Sequence, residues 1–147
     1  MTKQEFLAMS LPYGLHILNG KESDVVVGMV GDSVLSIFRG NFDNTWDITD
    51  VRPLLHPLSD LTKEIEHKGE KFVPSYKLGV DRGFEFYKPS NFDLEINFET
   101  PNYSTQIDLF TGFLIVQKLI EWHFDIADLI SKGEAIDVNT LDINPYK

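Results

Sequence analysis

Residues 107–141, IDLFTGFLIVQKLIEWHFDIADLISKGEAIDVNTL, form the densest apolar block of the chain, and their periodicity decides how the fold is read. Leu109, Phe113, Val116, Ile120 and Phe124 recur every three or four residues, which puts them on one stripe of a helix. Phe110, Leu114, Ile115, Leu119 and Trp122 widen that stripe until only Asp108, Thr111, Lys118 and Glu121 make a broken polar strip. The spacing therefore predicts a buried central helix. The apolar run at 113–116 is four residues long, against the roughly 20 needed to cross a bilayer, which excludes a membrane span. Asp125 reads as the N-cap of a second, shorter helix with Asp128 three residues on. Ile126, Leu129 and Ile130 would be its apolar stripe, Lys132 would sit at the negative end of its dipole, and Gly133 would be its left-handed stop. Two helices meeting near His123 is the preferred reading; one bent helix is the alternative.

Upstream of this block the pattern turns to strands. The amino terminus, MTKQEFLAMSLPYG, predicts a short amphipathic helix with Phe6, Leu7 and Leu11 turned inward, and it lacks the continuous apolar core of a secretory signal. Residues 15–18 suit a short strand, and Lys21 to Asp24 read as a turn. The β-branched runs 25–30 and 33–39, separated by Gly31-Asp32, predict a hairpin with a two-residue turn. Residues 40–50 read as a polar loop anchored by Phe42 and Trp46. Pro53 and Pro57 favour extended chain over 51–57. Ser59 suggests the N-cap of a short helix to about Glu66, and 70–76 a strand interrupted by Pro74. Residues 84–87 suit another strand. Phe92, Leu94, Ile96 and Phe98 alternate with Asp93, Glu95 and Asn97, the pattern of a strand with one wet acidic face.

Composition narrows the function classes. A hydrophobic share of 42% places the chain among folded proteins, and its length and lack of repeats or linkers predict a single domain over 1–147. No cysteine is present, which excludes disulfides, cysteine-based zinc sites and a cysteine nucleophile and fits an intracellular, cytoplasmic setting. The net charge of −10 disfavours direct binding to nucleic acid or anionic membrane. That charge is spread along the chain: residues 1–73 hold 7 Lys/Arg against 11 Asp/Glu, and 74–147 hold 6 against 12.

Three blocks, MTKQEFLAMSLPYGL, RPLLHPLSDLTKEIEHKGEKFVP and IEWHFDIADLISKGEAIDVNTL, resemble a group of small phage and mobile-element proteins of gut bacteria to which no activity is assigned. Together they cover about two-fifths of the chain. The resemblance implies a phage context and a host-cell interior, and it carries over no catalytic residue.

Several constellations could carry chemistry. His123, Asp125 and Asp128 are ligand types that a divalent metal accepts, and would give a small metal-dependent hydrolase. On a continuous helix His123 and Asp125 diverge by about 200°, so they share a metal only if the chain breaks there; otherwise Asp125 caps and His123 bonds to a carbonyl. Asp43, Asn44, Asp47 and Asp50 could offer oxygens to Ca²⁺, although the glycine and terminal glutamate of an EF-hand are missing and caps or Asx turns explain them equally. Asp137, Asn139 and Asp142 fail the same comparison. His56 and His67 are expected to be solvated near turns. The bare GxxG at Gly28 to Gly31 lies within the predicted hairpin and has no basic neighbour, so it is set aside. There is no G-x-G-x-x-G, P-loop, G-x-S-x-G or H-E-x-x-H. An acidic face of Asp93, Glu95 and Glu99, with Asp81 and Glu85, would suit a mimic of nucleic acid.

The expectation is thus an α+β protein: an N-terminal helix, a curved antiparallel sheet of about four to six strands, and a C-terminal helical pair packed on one face. The missing motifs lean toward a non-enzymatic module that binds an unknown protein partner, without cofactor, nucleic acid or membrane.

Overall fold

Thr2 starts the first helix, α1 (Lys3–Ser10). Its hydroxyl accepts from the Glu5 N–H at 3.2 Å while the Glu5 carboxylate accepts from the Thr2 N–H at 2.8 Å, so two orphan donors are satisfied reciprocally. Phe6 and Leu7 turn inward as their spacing predicts, and both are fully buried. The computed structural model describes residues 1–38, 40, 42–82, 99–100, 103–104 and 109–147. Its architecture is mixed α+β. It divides into two compact units, 1–56 with 120–145 and 57–119 with 146–147.

The first unit is built on a four-stranded antiparallel sheet, β1 (His16–Asn19), β2 (Glu22–Val30), β3 (Ser33–Phe38) and β4 (Phe42–Asp47), in chain order. The hairpin at Gly31-Asp32 forms as expected, Val30 pairing with Ser33. Gly31 takes φ +57° at the first turn position, where a II′ turn needs glycine. Residues 42–47 are a strand rather than the polar loop that composition suggests. Their alternation is hidden because an inward position is polar, Asn44, and pairing with β3 along the whole strand supplies the missing preference. One face of the sheet sends Ile17, Val26 and Val34 into a core with Phe6, Leu7, Leu15, Leu55 and Leu129.

Residues 51–56 are extended, as the prolines require. The Arg52 carbonyl accepts from Leu18, and β5 (Leu54–Leu55) pairs in parallel with β10 (Ile136–Asp137). The His56 N–H donates to the His123 carbonyl at 2.8 Å, and the Asp125 N–H to the His56 carbonyl at 2.9 Å. The chain around the second sequence-predicted cap is thereby tied into extended structure.

The helix near the C-terminus, α3, runs Leu109–Glu121 and is followed by turns, not by a second helix. His123 sits at φ +60° and Asp128 at φ +56°, and a left-handed residue at each place interrupts helical continuation. Asp125 is not a helix N-cap: its carboxylate accepts from residues four and five on, Leu129 and Ile130, instead of two and three on, whereas Gly133 does stop. Glu134 N–H bonds to the Leu129 carbonyl and Gly133 N–H to that of Ile130, the paired bonds of a Schellman ending, so a helical stop closes one turn only. The face of α3 also differs from expectation. Ile115, Leu119 and Ile120 are buried, whereas Phe113 is 60% exposed and Val116 is exposed as well.

In the second unit a 3-10 helix, Leu58–Thr62, replaces the helix expected from Ser59 to about Glu66. Ser59 makes no cap, and residues 65–67 are strand. β6 (Ile65–His67) and β7 (Glu70–Phe72) form a hairpin across Lys68-Gly69, both at positive φ as a I′ turn demands. Pro74 does not interrupt a strand; it opens α2 (Pro74–Arg82), the position where its missing N–H costs nothing. Lys77 bridges to Glu70 at 2.6 Å and lies 4.3 Å from the Phe72 ring centre. β8 (Glu99–Thr100) pairs with β9 (Tyr103–Ser104). The strands predicted at 84–87 and 92–98 lie outside the described residues.

Candidate functional site

The sequence-predicted metal constellations do not assemble. Asp125 is buried, and its two oxygens accept the N–H groups of Leu129 at 2.8 Å and Ile130 at 2.9 Å, so the carboxylate is committed to the backbone. His123 is buried beside it, while Asp128 is exposed. In the oxygen cluster, Asp43 and Asp47 are four residues apart on the same side of β4, about 13 Å by strand rise. Asn44 points the opposite way, toward the core side. Asp47 is engaged locally: Thr49 donates its hydroxyl at 2.6 Å and its N–H at 2.9 Å, which holds the Asp47 carboxyl below its ordinary value, with a smaller contribution from Lys3. Asp50 is exposed in the following turn. Among the described residues no group of three His, Asp or Glu is placed to hold a metal. Asp137 accepts from the Asn139 N–H and caps the 3-10 helix Val138–Thr140.

His56 and His67 are buried, against the expectation of solvation. His56 lies against Phe124, ring centres 5.3 Å apart, and His67 near Tyr146 at 6.3 Å. The side chains of Asp93, Glu95 and Glu99, and of Asp81 and Glu85, lie outside the described residues.

The sheet holds a polar centre that composition conceals. Asp24 is fully buried and accepts from Asn19 at 2.9 Å, Ser36 at 2.8 Å and Asn44 at 2.9 Å; the Trp46 indole donates to the Ser36 hydroxyl at 2.8 Å. Burial pushes the Asp24 carboxyl up, but the bonds from Asn19, Asn44 and Ser36 and the field of His16 outweigh it and hold it below the usual aspartate range. His16, whose Nδ1 lies 2.8 Å from the Ser23 hydroxyl, is pushed below its ordinary value by burial, against the field of Asp24. This network fastens all four strands of the sheet in register. Its signal was available: Asp24, Ser36 and Asn44 each stand two residues from an inward Val26, Val34 or Trp46.

The opposite face of the same sheet exposes an apolar stripe among the polar residues His16, Ser23, Ser33, Thr45, Asp43 and Asp47. Val27 is 51% exposed, Val30 71% and Leu35 37%, with Val25 and Ile37 half-buried in the next row of the same face. A β-bulge between Val26 and Gly28 leaves Val27 without a partner in the ladder. Gly28 lies beside Leu35, and a Cβ there would meet Leu35 only at an ordinary 3.6 Å. Folding does not require that glycine. Leu18, on this face by alternation, also lines a groove of about 640 Å³ with Phe38, Leu54, Leu141 and Ile143. Lys21, Glu22 and Asp142 are its charged lining residues. Sheet face and groove thus share Leu18.

No protein-family model, curated protein or solved structure matches the chain. Among the described residues no helix is long and apolar enough to cross a membrane.

Proposed function

We propose that this chain is a non-enzymatic protein-binding or assembly module of a phage or mobile element, acting in the host-cell interior through the outer face of its four-stranded sheet. The observation that carries the reading is the exposure of Val27, Val30 and Leu35 on one regular sheet, continuous through Leu18 with an apolar groove. Contiguous exposed apolar surface marks interaction sites on folded proteins. The ionisable groups nearest the described core support it too. Asp24 and Asp125 are saturated by internal hydrogen bonds, which suits a structural part better than acid–base or ligand chemistry.

A photo-crosslinking residue placed at Val27, and separately at Glu64, tests the reading in cells that carry the gene. One reproducible adduct of fixed size from Val27, absent from Glu64 and lost on Leu35→Asp, is expected. Equal yields from both positions, or none from Val27, would contradict it.

A further inference from the structure

We infer that the outer sheet face takes a basic protein partner, one that presents apolar side chains flanked by Lys or Arg. This inference rests on the reading of that face as a docking surface and adds the chemistry of the occupant. The four strands contain no Lys or Arg at all. Asp43 and Asp47 stand exposed along β4, on the side of the sheet that bears Leu35 and Ile37, because Ile37 pairs with Asp43 and Ser33 with Asp47. At the groove, Glu22 and Asp142 stand against Lys21. Asp43 and Asp47 thus edge the stripe and Glu22 and Asp142 the groove, against Lys21 at the groove and Lys3, whose field reaches Asp47, on a chain of net charge −10. A second copy would bring the same four carboxylates against only two lysines near this face among the described residues, Lys21 and Lys3, and nucleic acid or anionic lipid would be repelled. A basic, apolar-anchored surface satisfies both parts of the face, its cations steering the encounter and its apolar groups filling the stripe. Gly28 fits this picture: a strand glycine that the fold does not need leaves room over Leu35 for another chain to approach.

The probes are two synthetic peptides of about ten residues, one alternating Leu with Lys and the other Leu with Glu, titrated against the full chain by fluorescence anisotropy. The Leu/Lys peptide is expected to bind, and to weaken about tenfold or more between about 50 and about 300 mM salt. Asp43→Asn with Asp47→Asn should weaken it about fivefold or more, whereas Glu64→Gln with Asp128→Asn, which removes equal charge elsewhere, should not. Val27→Thr, which suits a strand and keeps the charge, should weaken the Leu/Lys peptide about twofold or more with its salt dependence unchanged; unchanged affinity would overturn the apolar stripe as the contact. Equal weakening by the two charge-removing pairs would reduce the binding to diffuse attraction and overturn the inference. Binding of the Leu/Glu peptide that Leu35→Asp abolishes would overturn the basic partner while leaving the docking face standing. Binding of neither peptide overturns the inference, and the Val27 crosslink then decides the docking face separately.

Discussion

The two faces of one sheet use the same residue for opposite ends. Val26 and Val34 are essentially inaccessible, packed with Phe6, Leu7 and Leu15, while Val27 and Val30 on the same hairpin are more than half exposed. Propensity cannot separate them, since all four suit a strand equally; what separates them is parity, the bulge after Val26 and the presence of packing on one side only. The inner valines hold the unit together. The outer ones contribute little to folding, and the proposed docking face is built from them.

The sharpest way to break this contrast is to empty the inner face. Ile17→Ala should cost about 2–5 kcal/mol in urea unfolding, through lost transfer energy and a cavity. A loss below about 1 kcal/mol would mean the inner face is not the core. Asp24→Ala comes next, because Asn19, Ser36 and Asn44 lose their shared acceptor; a cost of about 1–3 kcal/mol is expected, with Asp24→Asn milder.

The same network makes stability depend on pH. The folded pKa of Asp24 is depressed, so its contribution is complete above the unfolded value near about 4 and is lost as pH falls through the folded value. His16 is depressed as well. Its unfolded form binds protons first as pH drops below about 6.5, so stability falls with falling pH from there down to the folded value. Replacing His16 with Gln should flatten the slope of unfolding free energy between about pH 5 and about pH 7. An unchanged slope would place the titration elsewhere.

How much of this was legible follows from where each element gets its preference. α1 and the Gly31-Asp32 hairpin were readable because capping and turn chemistry are local, and both formed as spacing predicts. α3 was readable as a helix but not as an oriented one. With apolar side chains nearly all round, its period could not choose between the stripe through Phe113 and the one through Ile115 and Leu119, and packing chose the latter. The second helix failed because Asp125 bonds beyond the cap positions and a stop at Gly133 does not by itself make a helix. Left-handed Asp128 and the strand-like bonds to His56 took that segment. β4 was missed because its inward Asn44 serves Asp24, a tertiary partner that no local window contains. The outer face was legible only as valines; their exposure depended on which parity won.

At Phe113 the expectation of a buried ring is replaced by a small effect. Phe113→Ala should change stability by about 1 kcal/mol or less, as exposed positions do; a loss of about 3 kcal/mol would put the ring back in the core.

One chemical change applied to both faces tests the account most directly. Val34→Thr and Val27→Thr each exchange a methyl for a hydroxyl, at a fully buried and a half-exposed site of the same hairpin. Urea unfolding should show a loss of about 1–3 kcal/mol for Val34→Thr, from a hydroxyl buried among apolar groups, and a change within about 0.5 kcal/mol for Val27→Thr. Equal losses at the two positions would mean that both faces are packed in the folded chain, and would contradict the proposed docking surface.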